Sequence, residues 1–97
     1  METKVYLDDI RVPVTPNWII VRTVEDFKRV VIDYQPTYIS FDHDLGEDSP
    51  TGYDCAKWLV EIDYRHLRDF NVHSANPIGK ENIETLLNNY LKHLATL

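Results

Sequence analysis

Short apolar runs alternate with segments of helical periodicity along this chain, and this alternation limits the folds it can adopt. The four runs are rich in β-branched and aromatic residues and are short enough to be buried strands. The predicted strands cover residues 4–7, 18–22, 38–41 and 69–73. Three-four spacing of apolar residues predicts helices over about 24–35 and 52–64, and a last helix around the unbroken pattern from Ile83 to Leu94. The resulting order, β-β-α-β-α-β-α, favours a small α/β sandwich with a mainly parallel sheet.

Proline, glycine and polar residues mark the predicted connections. The predicted loops are 10–17, which holds two prolines, the turn-rich segment 46–52, and the polar segment 74–80. Thr23, followed three residues later by Asp26, resembles a capping box and predicts the start of the first helix.

Composition and charge restrict the class of protein. With 97 residues, of which 43% are hydrophobic, residues 1–97 are expected to form one domain with a sufficient core. The net charge of -6 argues against non-specific binding to DNA, and no apolar stretch is long enough to span a membrane. The single cysteine, Cys55, excludes an intrachain disulfide, and the N-terminus has no apolar secretion signal. We therefore expect a cytoplasmic protein.

Polar side chains follow three of the four predicted strands, at the point where each strand ends. They are Asp8 and Asp9 after the first strand, Asp42, His43 and Asp44 after the third, and His73, Ser74 and Asn76 after the fourth. The carboxyl ends of parallel strands meet at one edge of a sheet, where ligands bind. If these strands are neighbours, the side chains lie close together.

Three of these aspartates are candidate metal ligands. Asp8, Asp9 and Asp42 would repel one another at close range unless a cation neutralised them, and carboxylate oxygens are the ligands that Mg²⁺ prefers. We expect a divalent cation, Mg²⁺ or alternatively Mn²⁺. Each aspartate is equally compatible with capping a helix or forming an Asx turn.

Two histidines and a serine at the same edge are candidate catalytic residues. His43 and His73 can each exchange protons near neutral pH, although either is also compatible with a hydrogen-bonded histidine of purely structural role. Ser74 could hold a phosphate oxygen or act as a nucleophile, and equally a serine that begins a loop commonly caps it.

Three further residues are candidates for binding a phosphorylated substrate. Asn76 and Lys80 could bind an anion together with the amides at the start of the last helix. Arg11 is a candidate anion clamp, or alternatively a structural partner of Asp8 or Asp9.

Several other sites are excluded by their spacing. An EF-hand loop that begins at Asp42 requires glycine at its sixth position and glutamate at its twelfth, where Glu47 and Tyr53 stand. The chain has no Walker A, G-x-S-x-G, H-E-x-x-H or paired C-x-x-C motif. We interpret Glu47 and Asp48 as solvated loop charges, and Asp54 as favouring the start of its helix.

Four motifs occur together in the chain: VYLDDIRVP, SFDHDLG, TGYD and VHSANPIG. Together with Trp18 they resemble the cyclic-phosphate processing receiver domain family, a divergent branch of the response-regulator receivers with small members in bacteria and phages. The resemblance extends from about residue 4 to 91 and implies a receiver-like (flavodoxin-like) three-layer sandwich with strand order 2-1-3-4. It also implies a truncated receiver, because the loop 10–17 replaces the first helix and no fifth strand with a phosphate-contacting lysine follows.

The resemblance also assigns roles to individual residues. Asp8 and Asp9 match the acidic pair that holds Mg²⁺ in receivers, and Asp42 matches the aspartate that receivers phosphorylate. Ser74 matches the hydroxyl residue of the fourth receiver strand. The residues that match the features distinguishing this branch are His43, Asp44, His73 and Asn76.

Three functions are compatible with this pattern, and we rank them by how well the sequence supports them. The first is a metal-dependent phosphoesterase that acts on cyclic phosphates of nucleotides or RNA ends. The second is a module that binds a metal and a nucleotide or protein without turnover, and the third is a phosphoacceptor that remains from the receiver fold. The identity of the cyclic phosphate and the oligomeric state are open at this point.

Overall fold

Four strands form a parallel sheet that packs against three helices in the computed structural model, which describes residues 2–46 and 50–97. The strands are β1 (Lys4–Leu7), β2 (Trp18–Val21), β3 (Tyr38–Phe41) and β4 (Asp69–Val72). The helices are α1 (Val24–Tyr34), α2 (Gly52–Glu61) and α3 (Pro77–Ala95). The strand order is β2-β1-β3-β4 and every neighbouring pair is parallel, so the predicted fold class and strand order are confirmed. The interpretation of Glu47 and Asp48 lies outside the described residues.

Two helix boundaries differ from the prediction. Helix α2 ends three residues early because Asp63 adopts the left-handed backbone conformation, with φ of 53°, and Tyr64 turns back to donate its hydroxyl to the carbonyl of Pro36 at 2.6 Å. Helix α3 begins at Pro77, so residues 77–80 of the predicted loop are helical. The reason is local: the side chain of Asn76 caps the helix by accepting the amide of Gly79 at 3.0 Å, and proline suits the first helical position.

The two predicted helix starts are capped differently. Thr23 accepts the amide of Asp26 at 3.2 Å, but the carboxylate of Asp26 pairs with Arg29 at 2.7 Å, so only half of the predicted capping box is present. Thr51 and Asp54 form both halves of such a box at the start of α2. The structural interpretation of Asp54 therefore agrees with the structure.

All three helices pack against one face of the sheet, so the described residues form two layers where three were predicted. Helix α2 lies between α1 and α3, and the side chains of this face share one core with them. The core includes Val5, Leu7, Val21, Ile39, Phe41 and Val72 from the strands, and Phe27, Leu59, Ile83 and Leu87 from the helices. A second helical layer is missing because the connection from β1 to β2, which holds two prolines, is not helical. No helix of the described residues is both long and apolar enough to cross a membrane.

Among residues 2–46 and 50–97, no helix covers the opposite face of the sheet, which carries a cluster of aromatic rings. We call it the helix-free face. Tyr6 and Trp18 make an edge-to-face contact at 5.7 Å, and Trp18 makes another with Tyr38 at 5.6 Å. The ammonium group of Lys4 lies 4.6 Å from the centre of the Trp18 ring. These side chains cover part of the helix-free face and leave its carboxyl edge to the polar residues.

Candidate metal and phosphate site

The polar residues that follow the strands continue the sheet. The backbone amides of Asp8, Asp42 and His73 each donate to a carbonyl of the neighbouring strand, at 2.9 to 3.1 Å, so the parallel ladder extends one residue past each strand. Because side chains alternate between the two faces of a strand, these three residues lie on the helix-free face. The sheet register thus brings them to one edge, as the sequence predicted.

Three carboxylates meet at this edge. One oxygen from each of Asp8, Asp9 and Asp42 lies within 4.8 Å of the other two. Asp8 and Asp42 are buried and Asp9 is half-buried. Carboxylate oxygens at this spacing suit a hard divalent cation, and three negative charges need one, so the residues present fit Mg²⁺ or Mn²⁺. The acidic cluster can therefore bind a divalent metal.

Arg11 lies against two of these carboxylates. Its Nε donates to Asp8 Oδ2 at 2.9 Å, and its Nη2 is 3.5 Å from Asp42 Oδ1. The side chain remains 50% exposed, so it is not confined to this arrangement. Arg11 is thus a partner of the acidic cluster in this structure, which agrees with the structural alternative for this residue.

Arg22, which the sequence analysis did not select, holds the loop that carries Arg11. Its Nη1 donates to the carbonyl of Asp8 at 3.0 Å and to the carbonyl of Arg11 at 2.6 Å. The signal in the sequence was its position directly after β2, at the same edge as the acidic residues.

The carboxylate of Asp8 is held from several sides. Oδ1 accepts the backbone amides of Ile10 and Arg11 at 2.9 and 2.7 Å, and Oδ2 accepts His73 Nε2 at 3.0 Å. Burial alone would raise the pKa of Asp8, but these hydrogen bonds outweigh it, so the pKa is lowered and the group is ionised at neutral pH. Asp8 therefore makes an Asx-type turn, which the sequence analysis gave as the alternative to metal binding, and it still presents a charged oxygen to the cluster.

His73 uses both ring nitrogens in this arrangement. Nδ1 is 2.7 Å from Ser40 Oγ and Nε2 is 3.0 Å from Asp8 Oδ2, while the ring of Tyr6 stacks on the imidazole at 4.3 Å and 3°. Burial lowers the pKa of His73 and outweighs the opposite effect of Asp8, so the ring is neutral at pH 7. Ser40 and Tyr6 were not selected from the sequence, although both lie two residues before an aspartate of the cluster, on the same face.

His43 points in the opposite direction, towards α3. Its Nδ1 is 2.9 Å from Asp44 Oδ1 and 3.4 Å from Asn76 Nδ2, and its ring lies against Gly79. The shorter contact, to a charged acceptor, requires that Nδ1 carry the proton and donate it to Asp44. A methyl group on Gly79 would overlap the ring, so α3 can lie this close only with glycine there.

Ser74 and Lys80 differ in their relation to the site. Ser74 Oγ accepts the amide of Asn76 at 3.1 Å, which is the local role of a loop serine, and also lines the cavity described below. Lys80 is exposed in the first turn of α3 and, among the described residues, does not line that cavity.

An open cavity of about 310 Å³ lies over the acidic cluster. It is lined by Asp8, Asp9, Ile10, Arg11, Asp42, Asp44, Ser74 and Ala75. His73 lies behind it in contact with Asp8, whereas His43 and Asn76 connect to it through Asp44. The structure therefore brings together all the predicted site residues except Lys80, but with His43 and His73 in different surroundings.

The TGYD motif needs glycine at position 52 because the start of α2 lies against the backbone that follows β3. Its amide donates to the carbonyl of His43 at 2.8 Å, and a Cβ there would overlap the carbonyl oxygen of Asp42. Helix α2 can therefore start directly against the Asp42–His43 peptide.

Comparisons with known proteins agree with this architecture. The solved signal receiver domain of a protein described as a Luxo repressor, from Vibrio parahaemolyticus, superposes with a TM-score of 0.51. The alignment covers 99% of this chain and 95% of that one at 17% identity, which supports the receiver fold alone. No curated protein matches the sequence. The cyclic-phosphate processing receiver domain family matches residues 3–89, and the chain therefore belongs to that family.

Proposed function

We propose that this protein is a metal-dependent phosphoesterase that opens cyclic phosphates of nucleotides or RNA ends. The observation that carries the proposal is the group of three carboxylate oxygens within 4.8 Å, at the carboxyl edge of a receiver sheet, beneath an open cavity lined by an arginine. Membership of a family associated with cyclic-phosphate processing supplies the class of substrate.

The metal would be held by Asp8, Asp9 and Asp42. When bound, Mg²⁺ or Mn²⁺ neutralises charge on the phosphate oxygens and lowers the pKa of water. The aspartates supply the negative charge that holds the cation beside a phosphate of the same sign.

Arg11 is the proposed phosphate ligand from the protein. Its guanidinium group is half exposed at the cavity, and its fork of donors matches two phosphate oxygens. A cation on the carboxylates would weaken their attraction for Arg11, so the guanidinium group could leave Asp8 and Asp42 and turn to the substrate.

The reaction requires transfer of one proton. A water oxygen forms a bond to phosphorus, one of the two ester P–O bonds of the ring breaks, and the proton lost by water balances the proton gained by the leaving alkoxide. We assign this transfer to Asp44, which lines the cavity, with His43 behind it: Nδ1 of His43 donates to Asp44 Oδ1 at 2.9 Å and supports the carboxylate as it gains and loses the proton. His73, the other histidine expected to exchange protons, has both nitrogens bound to Ser40 and Asp8, and we assign it to holding Asp8.

One observation favours the second candidate, a binding module without turnover. Among the described residues that line the cavity there is no histidine, so the metal, Arg11 and Ser74 could hold a ligand with no imidazole in contact with it to exchange protons. The two functions differ in whether product forms.

The test is hydrolysis of a panel of 2′,3′-cyclic and 3′,5′-cyclic nucleotides and cyclic-ended RNA oligomers, with Mg²⁺, Mn²⁺ or chelator. Asp42→Asn removes one ligand charge, and Asp33→Asn, an exposed position on α1, is the matched control. Metal-dependent product that is lost in Asp42→Asn and kept in Asp33→Asn supports the phosphoesterase. A metal-dependent melting shift with one ligand and no product would instead support the binding module.

A further inference from the structure

A chain of side-chain hydrogen bonds runs across the helix-free face of the sheet to the acidic cluster. Asn71 Nδ2 lies 3.4 Å from Ser40 Oγ, Ser40 Oγ lies 2.7 Å from His73 Nδ1, and His73 Nε2 lies 3.0 Å from Asp8 Oδ2. Asn71 is exposed, but Ser40 is 3% exposed and the side chains of His73 and Asp8 are 14% and 1% exposed, so water has little access to the two inner contacts.

The direction of each hydrogen bond follows from Asp8, the last residue of the chain of hydrogen bonds. An ionised Asp8 only accepts, so His73 Nε2 must carry the proton that it donates. A neutral imidazole has one donor and one acceptor, which leaves Nδ1 as the acceptor of the Ser40 hydroxyl. Asn71 can only donate through Nδ2, and Ser40 Oγ accepts it with a remaining lone pair. Every donor in the chain therefore points towards Asp8.

The serine does not have the surroundings of a nucleophile. A Ser-His-Asp set suggests hydrolase chemistry, but Ser40 lies within β3 and is almost completely buried, so a substrate cannot reach its oxygen. The stacked ring of Tyr6 further confines the imidazole between β1 and β4.

We propose that Ser40 is a positioning residue, which holds the imidazole of His73 in the orientation that directs Nε2–H at Asp8 and through it holds the Asp8 carboxylate in place as a metal ligand. The metal-binding part rests on the proposed function, because it takes the acidic cluster as the metal site, whereas the orientation of the imidazole is independent of any activity. The hydrogen bond from His73 to Asp8 is an outer contact of the kind whose loss typically costs about tenfold or more in metal affinity.

The experiment compares Ser40→Ala, Ser40→Thr and the wild-type protein. Long-range proton–nitrogen correlation spectra distinguish a protonated from a bare ring nitrogen, and His43, His66 and His93 are internal references. We expect His73 to carry its proton on Nε2 in all three proteins, because Asp8 accepts it. We expect this proton to exchange with water faster in Ser40→Ala than in the wild type and in Ser40→Thr, because the ring is then held at one nitrogen only. Thr96→Ala, which removes a hydroxyl at the end of α3, is the control for loss of a hydroxyl elsewhere.

Binding of Mn²⁺ alone, measured by calorimetry on the same proteins, is the second readout. We expect Ser40→Ala to bind Mn²⁺ more weakly, by up to about tenfold, with recovery in Ser40→Thr. A wild-type Nδ1–H tautomer, or equal Mn²⁺ affinity in wild type and a folded Ser40→Ala, would overturn the proposal. If the wild type bound no Mn²⁺, the proposed metal-dependent function and the metal-binding part would both fail, while the spectra would still decide what Ser40 does to His73.

Discussion

At the scale of single residues, charge balance around the acidic cluster is the main determinant of what the site can bind. Asp8, Asp9 and Asp42 bring three negative charges together, and the ion pairs with Arg11 offset one of them. A divalent cation bound there would therefore compete with Arg11 for the same oxygens. A phosphate would relieve this competition, because it accepts the guanidinium group while it contacts the cation.

Replacement of Arg11 by alanine is expected to strengthen metal binding and weaken phosphate binding. A positive charge a few ångströms from the cation opposes its binding by about 1 kcal/mol or more at a half-exposed site, so Mn²⁺ affinity should rise by about fivefold or more. Calorimetry with Mn²⁺, and then with inorganic phosphate added to the loaded protein, measures both effects. Arg65→Ala, which breaks an exposed ion pair with Asp63, is the control, and unchanged or weaker Mn²⁺ binding in Arg11→Ala would contradict the competition.

At the scale of elements, the start of α3 determines the position of His43. Asn76 caps the helix, Pro77 begins it, and Gly79 lets the first turn lie against the imidazole. The helix is thus placed by three local features of the sequence, and the histidine is held by packing as much as by Asp44.

Replacement of Gly79 by alanine is expected to destabilise the protein. Alanine is intrinsically better than glycine in a helix by about 1 kcal/mol, but overpacking against His43 costs about 1–3 kcal/mol, so the free energy of unfolding should fall. Urea denaturation measures it, with Lys80→Ala at the next, exposed position as the control. A more stable Gly79→Ala protein would show that His43 does not pack against this turn.

At the scale of the whole molecule, the fold combines a single apolar core on one face of the sheet with two buried carboxylates at one edge. The core supplies the favourable burial, whereas the three carboxylates at the edge carry more negative charge than Arg11 offsets. Any ligand that binds only the folded state and neutralises this charge adds to stability.

Divalent metal is therefore expected to raise the melting temperature, and a chelator to reverse the rise. At a free metal concentration 100 times the Kd, the gain is about 2.7 kcal/mol. Scanning calorimetry with Mg²⁺, Mn²⁺ and chelator measures it. The same shift in Asp42→Asn would mean that the metal binds elsewhere.

The thiol of Cys55 is expected to be unreactive in the folded protein. It is fully buried between the helices and the sheet, and burial raises its pKa to about 12. Because the folded state favours the neutral thiol, Cys55 contributes to the free energy of unfolding. This contribution is complete below the unfolded pKa of about 8.5 and is lost as pH rises towards 12. A thiol reagent at pH 8 should label the protein only in denaturant. Rapid labelling without denaturant would show that the core around α2 opens readily.

The sequence was sufficient for the order of elements and for the edge at which the polar residues meet. Both depend on local signals: apolar periodicity places the strands and helices, and the position of Asp8, Asp42 and His73 at strand ends follows from counting residues, although the predicted fourth strand included His73 and the observed one ends at Val72. The motifs were specific enough to indicate the family that the comparison then showed.

Tertiary packing determined the surroundings of each side chain, because these depend on residues far apart in the chain. Ser40 and His73 are 33 positions apart, and His73 and Asp8 are 65 apart, so their hydrogen bonds exist only once β1, β3 and β4 are in register. One step along the chain from Asp42 reverses the face of the sheet, and this sends His43 to α3 instead of the cluster.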